Sequence, residues 1–421
     1  MRSRTTRLDE DIDPFAVGSA SGLLWHRPDG TDPTLAGVGE ACRITVKRPN
    51  GAESAQQQLA ALGGQRGDTE TNAALTGPGT GPVAFTSMPF DRTSDGELIV
   101  PEILLAAGPH GRRWLTITDD GSLSVNDAIE KLHGLAHTTA SDADKPQPTR
   151  YEVVAELPPE VWRDDIVGPA TERLRSGELD KLVLARRVTV TADHPIDIPL
   201  VLSRLKARFP TAILYNVDGY VGASPELLVG RYGDMVRAHP LAGTAPRSAD
   251  PATDGRLAAE LFASDKNRWE HRITIEWLLD GLLPFCSYVD AEPEPSIVTL
   301  ANVHHLGTKV EGRLSSPAPS ILDLTAALHP TPAVGGDPQA TALAMIEQIE
   351  QMDRGRYAGP VGWVDGAGNG AMAVGIRSAE IDGNTAKVTA GNGIVADSDP
   401  ESELGETRHK FQVMLGALIQ P

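Results

Sequence analysis

Two glutamates three residues apart, a lysine leading into a strand and an arginine inside an apolar run are the features here that could do chemistry. Glu403 and Glu406, in PESELGETRHK, share one helix face, and Glu270 stands beside His271 mid-helix in KNRWEHR. Magnesium takes hard oxygen ligands and keeps several waters, so one or two carboxylates from separate helices make a site. The plain alternative is a solvated helix surface, because glutamate near a helix start is favoured by the dipole anyway. Lys181 precedes LVLARRV, where a lysine commonly protects a strand edge. Glu226 follows a proline in GASPELLV and would by default be a surface turn carboxylate. Arg377, in AVGIR, needs a partner if buried, and an anionic ligand would serve. His304 and His305 more often satisfy core hydrogen bonds than bind metal, and Tyr357 by default packs. Taken singly, none of these residues decides a function.

The chain has 421 residues, 40% hydrophobic and 23% charged, enough for a sizeable core in one large domain or two to three average ones. Its 38 Lys and Arg against 57 Asp and Glu leave a net charge of −19, which argues against nucleic acid and anionic membranes as partners. An anionic substrate would then need a local offset, and a divalent cation held by carboxylates is one. Two cysteines without metal-ligand spacing, no apolar segment after the opening residues and no long apolar run read as a cytoplasmic protein. No P-loop, dinucleotide fingerprint, nucleophile elbow or zinc motif occurs.

The elements that must position these residues read as follows. Residues 1–14 are expected to be a disordered tail, 15–136 an N-terminal region contributing strands, 137–150 (HTTASDADKPQPTR) a linker, and 151–421 the catalytic region. The glycine-rich stretch 51–82 reads as a loop. Strands are expected at PVAFTSMPFD, ELIVPEILLAAG, RRWLTITDD, KLVLARRVTVTA, AILYNVDGYVGAS, YAGPVGWVD, MAVGIRSAEID and AKVTAGNGIV. Helices are expected over 162–176, 198–208, 254–283, 338–352 and 402–418. Strands and helices do not alternate, so an α+β fold with large, mostly antiparallel sheets flanked by helices is expected, as a single large domain.

The ordered set KLVLARR, GASPELL, HPLAGTAPR, SDKNRWEH, VHHLGT, LHPTPAVGGDP, MDRGRYAGPVGWVDGAGNG, AVGIRSAE, AGNGIVADSDPESELGET and the final KF resembles the chorismate-utilising enzymes. That family includes the anthranilate, aminodeoxychorismate, salicylate and isochorismate synthases, and the likeness covers about residues 150–421. It implies a magnesium ion on Glu270 and Glu406 with Glu403 beside them. It also implies that Arg377 and Tyr357 bind the enolpyruvyl carboxylate, that Gly391 and Gly393 offer backbone N–H groups, and that Gly243, Thr244 and His305 line the pocket. Lys181 matches the general base of the members that use water. Ala242 stands where aminodeoxychorismate synthases often carry a nucleophilic lysine, and Ala333 in HPTPAVGG resembles isochorismate synthases.

The implied reaction moves the ring hydroxyl of chorismate. Glu226, held protonated, gives a proton to the departing 4-hydroxyl, while Lys181 takes one from water attacking C2. A lysine of reference pKa about 10.4 must fall to ~7–8 for this, so Lys181 is expected buried in the cleft, facing Glu226. Rival expectations are a salicylate synthase, which goes on to eliminate pyruvate, a silent relative that only binds such anions, and a magnesium-dependent phosphoryl-transfer enzyme. Asn267, Asn392, Ala371 and Ser248 depart from the family pattern. A monomer is expected, and the product could feed a siderophore, salicylate or menaquinone.

Overall fold

The computed structural model describes residues 1–63, 75–141, 147–300 and 303–419. Among them, strands form a twelve-stranded, a nine-stranded and a three-stranded sheet. The arrangement is α+β, with antiparallel ladders throughout the two large sheets. Strands far apart in sequence alternate within each: Leu23–His26 pairs with Ile213–Val217, and Val83–Ser87 with Pro360–Asp365.

The two large sheets pack face to face through aromatic side chains. Trp25 and Tyr215 from one sheet meet Phe85 and Trp363 from the other, all fully buried. Burying rings of this size is the main hydrophobic contribution to the seam. Strands such as Ile213–Val217 and Gly370–Val374 are buried at every residue, because the second sheet covers one face and helices cover the other. The C-terminal helix, Pro400–Leu418, lays Phe411, Met414 and Leu418 on Val190, Val388 and Ala390 of the larger sheet.

Local chemistry explains several boundaries. The helix Ile198–Arg208 begins where the Asp197 carboxylate accepts the Leu200 N–H. Pro400–Leu418 begins the same way, with Asp399 accepting the Ser402 N–H at 2.9 Å. The expected helix 254–283 is two helices, Pro251–Ala263 and Asp265–Leu282. Ser264 is extended between them and its hydroxyl caps the second at Asn267, the competition that disfavours serine inside helices. MAVGIRSAEID likewise divides into Gly370–Val374 and Ser378–Asp382.

The termini and loops need further correction. Residues 1–14 are not a disordered tail. Arg2–Arg7 forms a strand paired along its length with Arg113–Asp119, and a helix starts at Pro14. Arg2 and Arg4 are exposed while Ser3 and Thr5 bond Thr118 and Thr116 across the ladder, so the polar composition of an edge strand resembled a tail. Within 51–82, Ala52–Ala61 is helical. The helix Val125–Ser141 occupies the first residues of the stretch read as a linker, residues 142–146 lie outside the described ones, and Thr149 is tied to Asp193. Among the described residues no helix is long and apolar enough to cross a membrane.

Replacing Asp399 by alanine removes the cap of the helix that carries Glu403 and Glu406. A loss on the order of 1 kcal/mol is expected in urea unfolding, and an unchanged midpoint would show the cap to be idle.

Candidate active site

Lys181 is the first residue of the strand Lys181–Ala192 and is buried, 1% exposed. Its Nζ donates to Glu270 Oε1 at 2.7 Å, joining the strand to the helix Asp265–Leu282. The neighbouring strand, Thr385–Ile394, sets Gly393 opposite Val183 and Gly391 opposite Ala185. A Cβ on Gly393 would lie 2.8 Å from Lys181 Cε and 3.1 Å from Glu270 Oε1, and one on Gly391 would lie 3.1 Å from the Tyr357 hydroxyl. Only glycine lets this strand approach so closely. The loop at Ala333 is fastened to the same strand, since Val183 N–H donates to Gly335 O at 3.0 Å.

Glu226 and Arg377 sit where the chain crosses from one large sheet to the other. Tyr220–Ser224 belongs to the twelve-stranded sheet and Leu227–Tyr232 to the nine-stranded one. The second crossing, between Gly370–Val374 and Ser378–Asp382, runs beside the first in the opposite direction. Arg377 takes a left-handed conformation there, φ 54°. Both side chains are buried, and each has an atom without a partner: Glu226 Oε1 and Arg377 Nε. Burial pushes the Glu226 carboxyl up to about 7, against the Leu241 N–H and the charges of Lys181 and Arg377. Burial lowers Arg377 and pushes the Tyr357 hydroxyl up to about 12. An unpaired buried carboxyl oxygen beside an unpaired buried guanidinium nitrogen marks a place where a polar ligand completes the hydrogen bonding.

His305 connects a third wall. Its Nδ1 lies 3.1 Å from both Gly243 O and Thr244 Oγ1, and its Nε2 lies 3.5 Å from Arg377 Nη2. Burial first, then Arg377, lowers it to about 3, so the ring is neutral. This network gives the tautomer with Nδ1–H toward Gly243 O and leaves Nε2 an acceptor. Gly243, φ 78°, rests against Asn267 of the helix that carries Glu270. His304 faces away, bonded to Thr299 and Asp254.

The three glutamates do not form one nest. Among the described residues no three His, Cys, Asp or Glu side chains converge as a ready metal site. Glu270 holds Lys181, Glu406 holds Lys410 at 2.7 Å, and Glu403 points inward, accepting from Ser398 Oγ at 2.7 Å and Asn392 Nδ2 at 3.1 Å. Each Glu403 oxygen accepts one hydrogen bond within the protein. Burial, then the Glu406 charge, raises Glu403. For Glu406, burial is outweighed by Lys410, Arg377 and Lys266, and its carboxyl is held low. Glu270 and Glu406 each leave one oxygen free of these ion pairs, a hard-oxygen donor set of the kind magnesium takes.

Sequence reasoning passed over Lys410. Its Nζ also bonds Gly391 O and Asn392 Oδ1, at 2.8 and 2.7 Å. The available signals were its place four residues after Glu406 on the same helix face and its presence in the KF that ends the ordered motifs. Asn392, a departure from the family pattern, is the amide that links Lys410 to Glu403. A groove of 1320 Å³ between the helices Pro14–Ser21 and Ile198–Arg208 holds none of these residues; the chemistry lies where the titratable groups meet.

Because the folded Glu226 carboxyl lies above its ordinary 4.5, folding favours its protonated form. Between pH 4.5 and about 7 the unfolded chain has lost this proton and the folded one keeps it, so stability falls as pH rises, by on the order of 3 kcal/mol. Glu226→Gln carries no such loss. Its melting temperature relative to the unaltered chain is expected to climb from pH 4.5 to 7 and then level off, and a constant difference would refute the protonated assignment.

The sequence profile of the chorismate binding enzyme family matches residues 7–419. The chain is 36% identical over 444 residues to the isochorismate synthase MenF of Bacillus subtilis (strain 168), covering 98% of this chain and 92% of that one. It is 35% identical over 374 residues to the isochorismate synthase DhbC of the same organism, covering 86% and 87%. Its fold matches the structure of MenF, the menaquinone-specific isochorismate synthase from Escherichia coli, with a TM-score of 0.78 and 25% identity over 100% of this chain and 94% of that one. With a buried lysine and arginine whose charges act on a buried glutamate, and relatives matched along nearly its whole length, this chain belongs to the chorismate-binding enzyme family.

Proposed function

We propose that the chain is an isochorismate synthase, an isomerase that turns chorismate into isochorismate by adding water at C2 and losing the 4-hydroxyl. The observation that carries this reading is Glu226, a buried carboxyl raised to about 7, with one oxygen unpaired and the Lys181 charge acting on it. Near neutral pH such a group still holds the proton that a departing hydroxyl requires.

In this reading Arg377 and Tyr357 hold the enolpyruvyl carboxylate, and the Gly391–Gly393 strand supplies the floor. Gly243, Thr244, His305 and Ala333 line the ring. Lys181, oriented by Glu270 and having given up its own proton, accepts at Nζ a proton from the water whose oxygen bonds to C2. The ring double bonds shift, the C4–O bond breaks, and the leaving hydroxyl departs as water with the proton of Glu226. One water enters and one leaves, so the product is an isomer. A magnesium ion on Glu270 and Glu406 would neutralise the ring carboxylate. Glu403, by its bonds to Ser398 and Asn392, braces the helix end that presents Glu406.

Incubated with chorismate and magnesium in ¹⁸O-labelled water, the chain is expected to yield isochorismate bearing one labelled oxygen. Salicylate with pyruvate would instead identify the eliminating enzyme, and absence of turnover a binding protein. Lys181→Ala is expected to lower kcat by roughly 10²–10⁴-fold while leaving the fold intact; a near-normal rate would remove Lys181 as base.

Glu406→Gln is expected to raise the magnesium concentration needed for half-maximal rate. Indifference of the unaltered chain to a chelator would count against the metal.

A further inference from the structure

Among the described residues, no strand pairs with the Lys181 strand along part of one edge. On that side Gly336–Asp337 pairs only with Lys181 and Leu182, and the next described strand, Tyr151–Ala155, pairs from Val188 onward. Backbone groups between them must be satisfied by other means. Val183 O accepts from Arg354 Nη2 at 2.8 Å, the Ala185 N–H bonds the Glu350 carboxylate, and Ala185 O accepts from the Trp162 indole at 3.1 Å.

Arg354 and Glu350 form an ion pair at 2.6 Å whose side chains are only 2% and 1% exposed. Arg354 Nη1 also donates to Val334 O at 2.8 Å, in the loop that carries Ala333, and its guanidinium lies 4.3 Å from the centre of the Phe90 ring. The pair thus grips the Lys181 strand at two points and the Ala333 loop at a third. The ion pair by itself adds little net stability, since a desolvated pair is commonly matched by apolar groups of similar volume; its bonds to the backbone are what such groups could not replace. A bidentate side-chain pair standing in for a missing strand supplies geometry instead.

We infer that Glu350 and Arg354 are positioning residues, holding the Lys181 strand in register with the Ala333 loop so that Nζ meets the attacking water. This rests on the reading of Lys181 as base. The pair touches no reacting atom; it acts through the two backbone segments it ties together.

The test is the double variant Glu350→Leu with Arg354→Met, in the full chain. The melting temperature is expected to fall, because Val183 O and Val334 O lose their donors. With chorismate and magnesium, kcat is expected to fall at least tenfold while KM changes less than twofold. Amide hydrogen exchange across residues 181–187 is expected to quicken at least tenfold, with the rest of the sheet unchanged. Unaltered kcat and exchange would overturn the inference, as would a raised KM at unchanged kcat, which marks a role in substrate binding.

Should the double variant fail to fold, Arg354→Lys decides by the same two readouts, since lysine keeps the charge but cannot bridge both carbonyls. The exchange measurement reads the grip whether or not chorismate is turned over. Absence of turnover in the unaltered chain would therefore defeat the functional reading alone.

Discussion

Two antiparallel sheets share one chain, and two of its steps between them lie side by side, at Glu226 and at Arg377. The site depends on this double crossing. A residue at a crossing is released from its ladder, so its side chain can enter the seam between the sheets instead of alternating between core and solvent. The crossings are stitched to each other: Ala223 N–H donates to Arg377 O and Val374 N–H to Glu226 O, both at 3.1 Å. The Tyr220 hydroxyl closes on Gly375 O at 2.7 Å. Left-handed geometry at a non-glycine residue costs on the order of 1 kcal/mol or more, and these bonds around Arg377 hold it there.

The electrostatics of the cleft oppose those of the whole molecule. The chain carries a net −19, yet Lys181, Arg377 and Lys410 are buried close together: the charges of Lys181 and Arg377 act on Glu226, and that of Arg377 on Lys410. Two of these cations are satisfied within the protein, Lys181 by Glu270 and Lys410 by Glu406. Arg377 keeps an unpaired nitrogen. A dianionic ligand entering such a cleft meets one cation with spare hydrogen-bonding capacity and two whose partners are the carboxylates proposed to hold a divalent ion. Burial outweighs the two nearby cations and raises Glu226 to about 7, so a large share of it keeps its proton near neutral pH, and acid chemistry there requires that balance.

Glycine and serine carry as much of the geometry as the charged residues do. Gly393 lets the neighbouring strand close on the Lys181–Glu270 pair, and Gly336, φ 140°, passes where a Cβ would lie 2.3 Å from Lys181 O. Ser264 splits what would be one long helix, so that Asn267 and Glu270 begin a fresh helix beside Gly243. Ser224 binds both the backbone of Glu226 and Val374 O, setting the turn from which the acid projects.

By itself the sequence determined the α+β character and a core set of strands, among them Lys181–Ala192 and Thr385–Ile394, because hydrophobic periodicity is a local property of neighbouring residues. Its ordered motifs also named Lys181, Glu226, Glu270, Arg377, Tyr357 and the two glycines as one set. Only the tertiary structure decided that MAVGIRSAEID changes sheets at Arg377, that Arg2–Arg7 is a strand paired more than a hundred residues away, and that Glu403 turns inward. It alone joined Lys181 to Glu270, Lys410 to Asn392 and Arg354 to two distant backbones. Such pairings are chosen by what else is buried nearby: a desolvated charge or an unpaired ladder group takes whichever partner the packed sheets bring within reach, and no local pattern encodes that choice.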